Sequence, residues 1–218
     1  LVVADPAHHA ISVTLKKSQI EVRDTLTLYP ETGSTLSLIL YGKYQFLGPL
    51  KNIVGEKLAS QGWTVKSTPK KNALRTHGVP LKLIKVTKPN NHPWPKALTL
   101  NFHYKGTVFE SMPPGKESGV QLSGASYFYP QETDNIRGNP RLITFALTVN
   151  TESHWTAVSQ GQPYAEISLP ASKSKKKGPE IAEARKTITW ISTEPQEEIF
   201  LIADRFEKYS SEFGRIKL

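Results

Sequence analysis

His9-Ala10-Ile11-Ser12-Val13-Thr14-Leu15, followed closely by Ile20-Glu21-Val22-Arg23-Asp24-Thr25-Leu26-Thr27-Leu28, decides the fold. From Ile11 to Leu15 apolar and polar residues alternate one for one, which puts the apolar set on one face of an extended strand. Ile20, Val22, Leu26 and Leu28 continue the alternation, and the charge at Asp24 predicts a change of phase there. Further strand-like runs follow at Thr35–Tyr41, Trp63–Ser67, Leu81–Thr87, Ala97–Tyr104 and Thr107–Glu110. The second half adds Ala125–Tyr129, Leu142–Val149, Trp155–Ser159, Tyr164–Leu169, Lys186–Ser192 and Glu198–Ala203. Turn-forming clusters such as Tyr29-Pro30-Glu31-Thr32-Gly33 and Pro89-Asn90-Asn91-His92-Pro93 separate them. The expected class is therefore all-β, an antiparallel sandwich with long loops. The one helix candidate is Leu50–Ser60, where Leu50, Ile53, Val54 and Leu58 share a face, although Gly55 weakens it.

The chain has 218 residues, long enough to bury a core without a disulfide or metal staple. It contains no cysteine, which excludes a disulfide framework, a thiolate-bound zinc and a thiol nucleophile. Its 28 Lys+Arg against 19 Asp+Glu give a net charge of +9. No window is apolar for the length of a membrane span, and Leu1–Asp5 shows no signal peptide. A soluble protein of periplasm or cytoplasm fits, with the compartment left open. Residues 1–218 read as a single domain, with Pro113-Pro114-Gly115-Lys116 as a possible separator of two sheets. The lysine-rich segment Ala171–Pro179 reads as a long solvated hairpin loop. It lacks the interleaved aromatics of a nucleic-acid site, so no nucleic-acid partner is expected.

No catalytic constellation emerges. The six histidines form no H-E-x-x-H or comparable pair, and His8-His9 are neighbours whose side chains diverge along a strand. Gly124-Ala125-Ser126-Tyr127 lacks the second glycine of a nucleophile elbow, leaving Ser126 as a strand residue. Glycines 33, 42 and 48 are isolated, so there is no phosphate-binding loop. Trp190 alternates with Ile188 and belongs in the core; Trp94, held between Pro93 and Pro95, is the candidate surface anchor. A folded chain without such a constellation points to a binding or scaffolding part, with no hydrolytic activity of its own.

The order of segments resembles the N-terminal β-domain of aminopeptidase-N-like zinc metallopeptidases, of the thermolysin clan. His9–Leu15 and Ile20–Leu28 are similar to its opening strand pair, and Leu98-Thr99-Leu100-Asn101-Phe102-His103-Tyr104-Lys105-Gly106 to its next signature strand. Tyr127-Phe128-Tyr129-Pro130 matches its aromatic-Pro strand end. Phe145–Val149, Trp155–Gly161 and Thr187–Trp190 follow in family order, and Ile199–Phe206 resembles the last strands before a catalytic domain. The resemblance implies a saddle-shaped β-sandwich that packs on a catalytic domain lying beyond Leu218, and that lines its peptide-binding cleft. It also implies that zinc belongs to that second domain, so that this chain holds no cofactor. The implied partners are the catalytic domain and a peptide N-terminus. The family's cleft Gln or Glu, nine positions before the strand-end Pro, falls on Gln121, whose neutral amide can donate or accept a hydrogen bond. Five positions later the family has Arg where this chain has Ser126, a departure from the pattern. The competing readings are a free-standing β-sandwich module for carbohydrate or protein ligands, and a scaffold relative without peptidase activity.

Overall fold

The computed structural model of the protein describes residues 5–70, 79–108, 119–133, 141–169, 172–173, 181–182, 184–206, 212–213 and 216–217. The first half carries β1 (Ala7–Lys16), β2 (Gln19–Leu28), β3 (Thr35–Tyr41), β4 (Gln45–Phe46), β5 (Thr64–Lys70), β6 (Leu81–Thr87) and β7 (Leu98–Thr107). The second carries β8 (Val120–Leu122), β9 (Gln131–Glu132), β10 (Ile143–Glu152), β11 (Thr156–Val158) and β12 (Gln162–Leu169). After these come β13 (Ser172–Lys173), β14 (Ile181–Ala182), β15 (Arg185–Gln196), β16 (Leu201–Asp204), β17 (Glu212–Phe213) and β18 (Ile216–Lys217).

A seven-stranded sheet runs in the order β12-β15-β10-β1-β2-β7-β4. A four-stranded sheet, β5-β6-β3-β9, and a three-stranded sheet, β11-β16-β8, complete the core layers. The class is all-β, as expected, with one refinement. In the large sheet every neighbour is antiparallel except β1 and β10, which run parallel from Ala7↔Ile143 to Thr14↔Asn150. Parallel neighbours need a long connection, and here β2 to β9 all lie between the two strands in sequence.

The alternation in the sequence is the burial pattern of the sheet. Ile11, Val13 and Leu15 of β1, Val22 and Leu26 of β2, Leu100 and Phe102 of β7, and Leu147 and Val149 of β10 face one core. Leu38 and Ile84 reach it from the four-stranded sheet; Val120, Leu122, Leu201 and Ala203 reach it from the three-stranded one. Each such side chain, fully buried, contributes about 1.5–3 kcal/mol of transfer free energy. Across β1, β10 and β15 the opposite face of the large sheet is polar and laced across strands, while Ile167 stands exposed on the edge strand β12. Thr148 bonds Thr189 at 3.0 Å, Asn150 donates to Thr187 at 2.9 Å, and His8 bonds Thr144 at 2.8 Å.

Three expectations are corrected. There is no phase change in β2: Asp24 itself points inward with Ile20, Val22, Leu26 and Leu28, because His9 opposite supplies it a partner. The helix candidate is split into a 3-10 turn, Leu50–Ile53, and a six-residue helix α1 (Gly55–Ser60), since Gly55 takes a left-handed φ of +77°. The run Ala125–Tyr129 is no strand: Gly124–Ser126 is a 3-10 turn and Tyr127 leaves it with φ +51°. Residues 113–116 and 174–179, the supposed separator and most of the lysine-rich loop, lie outside the described residues.

Candidate functional site

The three-stranded sheet breaks the rule that outward means polar. Its register aligns Val158 with Ile202 and Ile202 with Gln121, so the three side chains form one row across β11, β16 and β8. All three point outward, Val158 at 39% and Ile202 at 36% exposure. Phe200, two residues before Ile202 and 38% exposed, extends the apolar area. Inward, Ala157, Ala203 and Val120 form the adjacent, buried row. Gln121 thus stands at the end of an exposed aliphatic strip.

What fixes Gln121 is the segment after it. Ser126 Oγ donates to Ser123 O at 2.7 Å and lies 3.2 Å from Ser123 N, closing a single turn on itself. Ser126 is therefore spent inside the turn. Gly124 N donates to Glu198 Oε2 at 2.7 Å, and Gln131 Nε2 donates to Gly124 O at 2.7 Å. A Cβ on Gly124 would stand 2.7 Å from that same carboxylate oxygen, so a larger residue there would push the Glu198 carboxylate aside. Gln160 binds the segment leading into β16 at two points, accepting from Phe200 N at 2.8 Å and donating to Glu198 O at 2.5 Å. At the other end of β8, Gly119 N donates to Asp204 Oδ2 at 3.3 Å.

Beyond the turn, Phe128 and Tyr129 plunge into the core. Tyr104 Oη donates to Phe128 O at 2.8 Å, and Tyr129 Oη accepts from Ile199 N at 3.2 Å. Burial pushes both phenols up, so they stay protonated across the physiological range. The His9 ring meets Tyr129 edge-on at 5.2 Å, and His9 Nδ1 lies 2.8 Å from Asp24 Oδ2. Asp24 Oδ1 is buried without a hydrogen-bond partner. Sequence reading missed this buried polar group; its signal was that His9 and Asp24 both fall on apolar positions of the alternation. His8 and His9 diverge as adjacent strand residues must, one outward and one inward.

Trp94 is half-buried. Its Nε1 donates to Gly33 O at 2.7 Å, and its ring packs edge-on against Trp63 at 5.3 Å. In that position it pins the turn at Thr32–Gly33, and its indole nitrogen is already committed. Trp190 packs against the core, with Nε1 donating to Ala157 O at 3.2 Å. Among the described residues no three His, Asp or Glu side chains converge as ligands for a metal ion. Among them, too, no helix is long and apolar enough to cross a membrane.

No protein-family model matches the chain, and no curated protein matches it. Solved structures do. The M1 zinc metallopeptidase of Deinococcus radiodurans is similar over 98% of this chain and 46% of its own, with a TM-score of 0.52 and 14% identity. Its fold is similar to under half of an M1 zinc metallopeptidase. A mutant of that protein bound to a Tyr-Ser-Ala substrate gives a TM-score of 0.56 at 16% identity, again over 98% and 46% of the two chains. A two-domain M1 zinc metallopeptidase bound to L-tryptophan gives 0.52 at 15% identity, over 100% of this chain and 47% of its own. The metallopeptidase-like β-domain expected from the order of segments is thus the fold observed, and the chain spans about half the length of those neighbours.

Proposed function

We propose that this chain is the non-catalytic β-domain of a zinc-aminopeptidase-like protein, docked on a catalytic domain and lining its peptide-binding cleft. The observation that carries the reading is the outward row Val158–Ile202–Gln121. Exposed aliphatic side chains in register on a sheet mark a surface that is covered in the working assembly. A single amide at the end of that strip is suited to the rim of a cleft, where it meets a polar group of the substrate. The share of the neighbours' length left over, more than half, supplies a partner of the right kind.

In this reading zinc and the general base sit in the catalytic domain, and this chain's residues bind and orient. Gln121 Oε1 accepts a hydrogen bond from the peptide's free amine, while the Ser123–Ser126 turn and Glu198 hold β8 in place. Free peptide N-termini are then favoured because β8 closes one end of the cleft. No hydrolysis is expected from this chain alone, since among its described residues no metal cluster stands to lower the amide-cleavage barrier.

The test is aminopeptidase activity on a panel of aminoacyl fluorogenic substrates, zinc supplied, for the protein at full natural length beside this chain. An active long protein, a silent chain and a raised KM in Gln121→Ala support the reading. Silence from both moves the assignment to a scaffold.

A further inference from the structure

The polar outer face of the large sheet is roofed over at one place. After β4 the chain turns at Gly48, with φ +124°, and Leu47 N donates to His103 O at 2.8 Å. The segment from Phe46 to Ile53 then walls a cavity of about 340 Å³ against β2 and β7. Toward the middle of the same face the outward residues are small and uncharged, Ala10, Ser12, Ala146 and Thr148. Under the roof they are two cross-strand pairs, Arg23↔His103 and Thr25↔Asn101.

The donors there are largely unspent. His103 Nε2 lies 2.8 Å from Glu21 Oε1 and 3.3 Å from Arg23 Nε. One ring nitrogen cannot donate to the carboxylate and accept from the guanidinium at once, and the shorter, charge-assisted contact wins. The guanidinium therefore keeps its hydrogens, apart from a loose 3.6 Å approach of Nη2 to Glu21. Asn101 Oδ1 accepts from Thr25 Oγ1 at 3.3 Å, which leaves its Nδ2 hydrogens to the cavity. The roof itself contributes the apolar residues Phe46, Leu47 and Ile53, with Asn52 among them. Of the charged residues lining the space, Arg23 presents an exposed guanidinium, whereas the Asp24 carboxylate is turned to the inner face beside His9, so the site favours an anion.

We propose that this cavity binds a small organic carboxylate with a short apolar body. Guanidinium and amide donors on one side match a carboxylate's lone pairs, and the opposite wall takes the hydrocarbon. The volume sits at the low end of the roughly 300–1,000 Å³ of ligand pockets, which suits a ligand of amino-acid size. The site lies on a different sheet from the Val158–Gln121 row, so it stands or falls independently of the cleft reading.

Saturation-transfer NMR on the protein at full natural length tests it, with 4-methylpentanoate as probe and the uncharged 4-methylpentanamide as control. The carboxylate's methyl groups should receive saturation and the amide's should not. Arg23→Ala should weaken binding about tenfold or more, as loss of hydrogen bonds to a charged group does. Asn101→Ala, on the same wall, should weaken it several-fold, with melting temperatures unchanged in both. Equal signal from the amide, or undiminished binding in Arg23→Ala, would overturn the proposal.

Discussion

The outer faces of the large sheet's central strands and of the three-stranded sheet obey the same in–out alternation and end up chemically opposite. On the large sheet Ser12, Thr14, Thr148 and Asn150 stand outward, Thr148 bonding Thr189 and Asn150 donating to Thr187 on the next strand. On the small sheet Val158 and Ile202 stand outward, with Phe200 beside them. Alternation decides which side chains leave the core; what meets them outside decides their chemistry. The polar face suits contact with water, whereas on the reading proposed here the aliphatic one is finished by another protein surface.

The comparison breaks first on the buried side. Asp24→Ala leaves His9 without its partner inside the core, and a loss of about 3–5 kcal/mol in denaturant unfolding is expected. Replacing His9 and Asp24 together by leucine should recover most of that loss, since a well-packed apolar pair can stand in for a buried polar one. Leu147→Ala, at a fully buried inner position, should cost about 2–5 kcal/mol. The outward counterpart Ile202→Ser should change the stability of this chain by no more than about 0.5 kcal/mol. A cost close to that of Leu147→Ala would mean the small sheet's outer face is packed within the chain, and the contrast would fail.

The smallest effect concerns the polar face. Glu21 titrates below the usual carboxylate range, chiefly through its hydrogen bond to His103 and in spite of slight burial. A lowered folded pKa contributes stability above the ordinary glutamate value, lost as pH falls through the lowered one. Because Glu21 is largely solvated, screening keeps this under about 0.5 kcal/mol. Unfolding curves of Glu21→Gln and the parent should differ slightly at neutral pH and coincide in strong acid. A gap that widens on acidification would reverse the sign.

Much of the fold was legible because β1, β2, β7 and β10 alternate cleanly, so face and class could be read residue by residue. Asp24 misled because charge was read as a turn outward, and only the spatial neighbour His9, fifteen positions away, explains its burial. The parallel β1–β10 pair is equally invisible to local pattern, since periodicity is the same for both pairings. Tyr127 looked like a strand residue by type, yet the reciprocal Ser123–Ser126 bonds impose a turn ahead of it. For the candidate site, spacing from Pro130 singled out Gln121, but its aliphatic neighbours come from β11 and β16, far away in sequence. Trp94 was legible as unusual, and its use as a turn pin depends on the carbonyl of Gly33.

The central claim is that the Val158–Ile202–Gln121 face is covered in the whole protein. The chain has no cysteine of its own, so single thiols at Val158→Cys and, on the polar face, Thr14→Cys can each be followed by labelling and mass spectrometry. Both should react quickly in this chain alone. At full natural length Val158→Cys should become strongly protected while Thr14→Cys keeps its rate; equal labelling of Val158→Cys in the two contexts would contradict the account.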